Sequence, residues 1–235
     1  MKILAIDSSG LTSSVAVVDK YDLISEYTVN CKKTHSQTLM PMIYEMNKSI
    51  GLELSSLDAI AVSEGPGSFT GLRIGAATAK GLALALNKPI ISVPTLDGLA
   101  YNIYDNEAII CPIMDAKRNQ VYTALYEYED SKLKKLSESM AVDINEILEV
   151  LCGYNRKVIF LGDGVEIYKS LIEESGMANS FAPIHLMKQR ASSIGALALD
   201  YLSSNNTVSG NDFAPVYLRK SQAEREYEEK IKAGQ

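Results

Sequence analysis

The sequence predicts an α/β fold of two lobes, each a mixed sheet covered by helices, and three observations predict it. Short β-type runs alternate with stretches of helical periodicity along most of the 235 residues. The order of elements in the first half, βββαβαβα, begins again at Ile109. Each half opens with a compact apolar strand that closes on an aspartate, Asp7 in one and Asp115 in the other. Three antiparallel strands followed by alternating helices and strands make a sheet that must be covered by helices. The repetition is one of topology, with little residue identity. It divides the chain into a first lobe over 1–104, a second over 105–218 and a charged tail over 219–235.

In order, Lys2 to Asp7 reads as a strand, followed by the turn Ser8, Ser9, Gly10 and by strands at Val15 to Asp19 and Leu23 to Val29. Ser36 to Ile50 repeats apolar residues at Leu39, Ile43, Met46 and Ile50, which is helical spacing. Pro41 costs this helix little if it starts at Thr38 and kinks it if Ser36 is the cap. Ala59 to Val62 is a strand that passes through Gly65, Pro66, Gly67 and Gly71 into a helix ending at Leu86. A strand at Pro89 to Val93 and a helix from Leu96 to Tyr104 complete the first half. The second half reads as a strand at Ile110 to Asp115, a hairpin of Val121 to Tyr128 with Leu133 to Ser139, and a helix at Ile144 to Cys152. There follow a strand at Val158 to Leu161 closing on Gly162, Asp163, Gly164, and helices at Val165 to Glu174 and Ala191 to Leu202, the last behind a Ser192 cap. The stretch 203–212 reads as a linker.

The Gly-rich turn and the helix after it draw the most attention. A strand, a glycine turn and a helix N-terminus together make an anion site. A Walker loop is excluded, because Leu72 follows Gly71 where a lysine is required. From Leu72 to Leu86 the plainly polar side chains are Arg73, Thr78 and Lys80, so the helix is apolar nearly all round. Such a helix is buried on more than one face. Cover by its own domain and cover by another subunit fit the pattern equally well.

Net charge is −6, which argues against a free-standing nucleic-acid binder. Cys31, Cys111 and Cys152 follow no metal or CxxC spacing and read as buried thiols in a reducing compartment. No run is long enough to span a membrane, and the expected location is the cytoplasm.

A strand ending in Asp at the head of each of two duplicated lobes resembles the actin, hexokinase and Hsp70 (ASKHA) superfamily, built on ribonuclease-H-like lobes. Within it, MKILAIDSS at 1–9, HSQ at 35–37, SEGPGSFTGLRIG at 63–75, MDAKRNQVY at 114–122 and PVYLR at 215–219 resemble the bacterial TsaB, or YeaZ, family over nearly the full length. The resemblance implies a part in making N6-threonylcarbamoyladenosine at position 37 of tRNAs that read codons starting with A. It implies a non-catalytic accessory subunit that dimerises with a catalytic sister, TsaD, has TsaE as a further partner, and forms a homodimer when alone. tRNA would be met only within the complex. No cofactor of its own is implied, with ATP or ADP at the interface of the complex left open. The alternative is an enzyme in its own right, an ATP-using transferase or a peptidase of the same fold.

The sister family holds a metal with HxxxH, and the matching stretch here carries Thr95 and Leu99, so no metal site is expected. His35 and His185 stand 150 positions apart; His35 reads as a hydrogen-bonded or capping residue and His185 as structural, in an apolar context. Asp7, Ser8, Ser9 and Asp115 fall where the superfamily grips magnesium and phosphate, and are expected to be relics of a nucleotide cleft. The turn after Asp115 (Ala116, Lys117, Arg118, Asn119) lacks the glycines that let backbone approach phosphate. The partner interface is expected from Met40, Met42 and Tyr44 on the first helix and from Leu72, Gly75, Ala76, Ala79 and Ala83 on the second, in a four-helix contact.

Overall fold

The computed structural model describes residues 1–31 and 33–219. The first lobe contains β1 (Lys2–Asp7), β2 (Ser13–Asp19), β3 (Leu23–Val29), α1 (His35–Ile50), β4 (Ala59–Gly65), α2 (Phe69–Leu86), β5 (Ile90–Pro94) and α3 (Thr95–Ala100). Its five strands lie in the order β3-β2-β1-β4-β5, with β1, β4 and β5 parallel and β2 and β3 antiparallel to their neighbours. The two faces follow from strand alternation. Leu4, Ile6, Val15, Val17, Ile60 and Val62 meet α1 and α2, while Ile3, Ala5, Ala16, Val18, Ala61 and Val93 point the other way.

The second lobe continues with β6 (Ile109–Asp115), β7 (Gln120–Thr123), β8 (Tyr126–Glu129), β9 (Lys132–Lys135), β10 (Met140–Asp143), α4 (Ile144–Gly153), β11 (Val158–Leu161), α5 (Gly164–Glu174), β12 (Asn179–Phe181) and α6 (Ala191–Ser203). Its sheet runs β10-β7-β6-β11-β12, with the β8–β9 hairpin paired to β6. The aspartate-ending strands β1 and β6 thus occupy the same place in the two lobes.

Several expectations change. The single strand expected from Val121 to Tyr128 breaks into β7 and β8, and β10 and β12 were not foreseen. The helix after β5 ends at Ala100. Helix α6 is preceded by Arg190, and Ser192 is no cap: its amide and hydroxyl both donate to Glu26 on β3, at 3.0 and 2.7 Å. That bond shows where α6 goes. Although chain order puts it within the expected second lobe (105–218), it covers the open face of the first sheet with Ile194, Leu197 and Ala198. Gly98 of α3 would put a Cβ 2.4 Å from Ile194 Cδ1, so the two helices cross in close contact at the junction of the lobes. The linker also returns to the first sheet, through Val208 paired with Ile90.

Pro41 lies inside α1, which starts at His35 behind Thr34. Its missing N–H leaves the Gln37 carbonyl without its helical donor, at a position where both residues are exposed to solvent. Of the thiols, Cys111 alone is buried and its pKa is pushed up to about 12 by burial; Cys31 and Cys152 are exposed. His185 is exposed beside Ile184 rather than packed. The charged tail expected over 219–235 lies, apart from Arg219, outside the described residues.

Candidate functional site

A cleft of about 660 Å³ opens between the lobes where β1 and β6 end. Its walls are the turn after β1 (Ser9, Gly10, Leu11), the start of α2 (Gly67 to Gly71) and the turn after β6 (Asp115 to Lys117), with Asp163 and Glu166 at the start of α5.

The first wall is closed by the protein's own groups. Asp7 is 1% exposed, and its Oδ1 accepts from the Ser9 amide (2.9 Å), the Ser9 hydroxyl (2.7 Å) and the Ser63 hydroxyl (3.2 Å). Burial pushes its carboxyl above the usual range, against the pull of those bonds and of His35. The Ser8 hydroxyl donates to the Gly71 carbonyl at 2.9 Å, and the Ser9 carbonyl accepts from the Ser68 amide at 2.6 Å. The glycines of the Gly-rich block permit this approach. A Cβ at Gly67, Gly71 or Gly75 would stand 2.3, 2.1 or 2.4 Å from Ser9 O, Ser8 O or Ser8 Oγ. Ser68 caps α2 by accepting from the Gly71 amide. The block therefore seats α2 on the β1 turn.

His35 extends the same network. Its Nδ1 is hydrogen-bonded to Ser13 Oγ at 2.5 Å and its Nε2 donates to the Gly10 carbonyl at 2.9 Å, pinning the start of α1 to the turn after β1. On the opposite wall Asp115 accepts from the Lys117 amide (2.8 Å) and pairs with Lys117 Nζ. Asp163 accepts from the Asp115 amide at 3.1 Å, and burial together with the nearby Asp115 charge raises its carboxyl. Thr95 accepts from the Gly65 amide at 3.2 Å, and Leu99 is buried against Gly162.

Six of the eight residues expected at a partner interface are buried within the chain. Met42 is buried at 8% exposure beside Leu39, Ile43 and Met46, and Leu72, Gly75, Ala76, Ala79 and Ala83 all face the sheet. These residues are core. Among the residues the two helices leave outside are Met40 (47% exposed) and Tyr44 (61%) on α1, beside the polar Glu45 and Lys48, with Arg73, Ala77, Gly81 and Leu84 (60%) on α2. A Cβ at Gly81 would meet nothing within 4 Å, so this side of α2 is open. The small residues exposed on this helix are Ala77, Gly81 and Ala85, and the ones expected at an interface, Gly75, Ala76, Ala79 and Ala83, are buried. Sequence reasoning also missed Tyr217 and Arg219, which reach α2 and the cleft from the PVYLR stretch. Their signal was that motif, quoted without a role.

Residues 24–227 match the family model for TsaD, tRNA N6-adenosine threonylcarbamoyltransferase. A tRNA threonylcarbamoyladenosine biosynthesis protein TsaB of Bacillus subtilis is 34% identical over 99% of this chain and 100% of its own length. A Pseudomonas aeruginosa protein of solved structure, described as similar to peptidase YeaZ, superposes with a TM-score of 0.80 at 25% identity, over 93% of this chain and 99% of that one. The fold recurs in proteins of much lower sequence similarity. It is shared, at a TM-score of 0.50 and 11% identity, with component A of the Acidaminococcus fermentans (R)-2-hydroxyglutaryl-CoA dehydratase, over 87% of this chain and 99% of that one.

Proposed function

Because the chain belongs to the TsaB (YeaZ) family of tRNA threonylcarbamoyladenosine biosynthesis proteins, we propose that it is a non-catalytic subunit. On this reading it pairs with the catalytic sister TsaD, with TsaE as a further member, and supports threonylcarbamoyl transfer to adenosine 37 of tRNAs reading codons that start with A.

One observation carries the non-catalytic half. The turn after β1, where the superfamily grips phosphate, is filled by the chain's own Gly-rich block, with Ser8 and Ser9 buried and Asp7 bonded on Oδ1 by three donors. A phosphate placed there would displace Ser68 from the Ser9 carbonyl and unseat α2 from its capping turn. On the second turn Asp115 is already paired with Lys117. The chain brings no cofactor of its own to this role.

The pairing half is supported by Met40, Tyr44, Ala77, Gly81 and Leu84, a strip of apolar and small side chains on two adjacent helices. Small residues let a facing helix come close, and exposed Met and Tyr supply contact area. The same face serves a second copy of the chain when the sister is absent. The test is reconstituted modification of an unmodified tRNA with ATP, threonine and bicarbonate, with each protein also assayed alone. Turnover by this chain alone would overturn the non-catalytic reading. The full set working equally well without it would overturn the subunit reading.

A further inference from the structure

Two separate motifs of the sequence, SEGPGSFTGLRIG and PVYLR, meet in the fold. Gly65 ends β4 at a φ of 126°, and a Cβ there would stand 2.2 Å from the Val216 carbonyl oxygen. Only glycine allows the last described segment to lie this close, and the Val216 amide donates to the Glu64 carbonyl at 2.7 Å. Four residues beyond Gly65, the ring of Phe69 stacks on Tyr217 with centroids 4.1 Å apart and planes 21° apart. Four residues beyond that, Arg73 lies over the Phe69 ring at 4.3 Å and donates its Nε–H to the Tyr217 hydroxyl at 3.3 Å. Lys80 fastens the approach to this segment, donating to the carbonyls of Asn211 and Phe213 at 3.3 and 2.8 Å. The segment is thus anchored along α2 on the first lobe.

Its last described residue crosses the cleft. Arg219 donates to the carbonyl of Ala116, the residue that opens the turn after β6, and both line the cleft. That turn is strained: Lys117, Arg118 and Asn119 follow one another at φ values of 63°, 58° and 60°, where residues other than glycine are disfavoured. A contact that fixes its first residue fixes how the second lobe's wall is presented.

We infer that Pro215 to Arg219 is a strap that sets the opening of the inter-lobe cleft, seated on the first lobe by Gly65, Phe69 and Arg73 and tied to the second by the Arg219–Ala116 bond. The Gly-rich block then does two jobs with different residues. Gly67, Gly71 and Gly75 seat α2 on the β1 turn, and Gly65, Phe69 and Arg73, each four apart, receive the strap. The strap works on the isolated chain and does not depend on its partners.

The test is the distance across the cleft in the full chain, measured between two nitroxide labels by pulsed electron resonance. Cys31 is exposed and lines the cleft on the first lobe; Ile167, 55% exposed on α5, lines it on the second and is replaced as Ile167→Cys. Cys152→Ser removes the other exposed thiol, and Cys111 is buried. The parent gives one narrow distance distribution. Arg219→Ala is expected to lengthen the mean by more than about 2 Å, the scale of a hinge rearrangement, and to broaden it. Tyr217→Ala, which removes the anchor at the other end, is expected to do the same, while Arg219→Lys keeps a donor and restores part of the effect. Arg219→Ala removes a single side chain at the end of the described chain, so it reads the strap even if Tyr217→Ala fails to fold. An unchanged distribution in a folded Arg219→Ala chain overturns the inference.

Discussion

Ala77→Glu and Ala79→Glu place the same charge on α2 two positions apart and should fail in opposite ways. Ala79 is 0% exposed and packs in the cluster that includes Leu4, Ile6, Met46 and Ile60. A glutamate there must bury its charge, at several kcal/mol even after relaxation, and must also overpack a filled core at about 1–3 kcal/mol. Together these take about 5 kcal/mol or more from a total stability of roughly 5–15 kcal/mol. Ala77 is exposed, and a surface change on a helix should alter stability by no more than about 0.5 kcal/mol. In the proposed pair with the sister its position is reversed. A carboxylate left unpaired against the partner's helices costs about 2–5 kcal/mol, at least roughly thirtyfold in Kd. Urea unfolding measures the first effect and calorimetric titration with the sister the second. A folded Ala77→Glu chain that binds with unchanged affinity would refute the placement of the partner face. An Ala79→Glu chain as stable as the parent would refute the burial on which that placement rests.

The same strip predicts that Tyr44→Ala weakens pairing. With about 200 Å² for a tyrosine, its 61% exposure leaves roughly 120 Å² to bury, an upper bound of about 3 kcal/mol at 25 cal/mol per Å², and unchanged affinity by ultracentrifugation would contradict it. Asp7→Asn can accept the same bonds from Ser9 and Ser63. Because burial already raises the Asp7 carboxyl, a penalty that grows as pH rises through that raised value, the variant should be as stable as the parent or more so at neutral pH. It should support tRNA modification within about twofold, whereas a drop of about a hundredfold or more would mark Asp7 as a general acid or base. Burial would raise the Glu26 carboxyl, yet bonds from Arg190 and Ser192 outweigh it and hold it below its ordinary 4.5. A depressed folded pKa means stability that is complete above that value and lost as pH falls through the folded one. The lead of the parent over Glu26→Gln in urea should therefore shrink in acid; a constant lead would show that the carboxylate charge is not what holds α6 to β3. Gly71→Ala drives a Cβ to 2.1 Å from the Ser8 carbonyl and should cost about 1–3 kcal/mol; an unshifted urea midpoint would contradict the seating of α2 on the β1 turn.

The strand and helix order was readable because each element carries its own period, and the repeated strand ending in aspartate announced the two lobes. The orientation of α2 was not readable. A helix apolar all round has no phase, and its small residues lie on both sides, Ala76 and Ala79 inward with Ala77 and Gly81 outward. On α1 the stripe through Leu39, Ile43 and Met46 was correct, but Met42 flanks it and is drawn into the core as well. Chain order placed α6 in the second lobe, and only its contacts with Glu26, Val18 and Ala5 reveal that it covers the first. Tyr217 reaches Arg73 across 144 positions, and no local pattern encodes such a contact.

The closed β1 turn and the open face of α1 and α2 make their sharpest joint claim in reconstituted tRNA modification. TsaD, TsaE and the threonylcarbamoyl donor are combined with the parent chain, with Asp7→Asn, with Ala77→Glu, or with no added chain. Activity should be full with the parent and with Asp7→Asn, and should fall together with binding for Ala77→Glu to the level seen without the chain. Loss of activity in Asp7→Asn with binding intact would contradict a non-catalytic subunit that acts through its helix face.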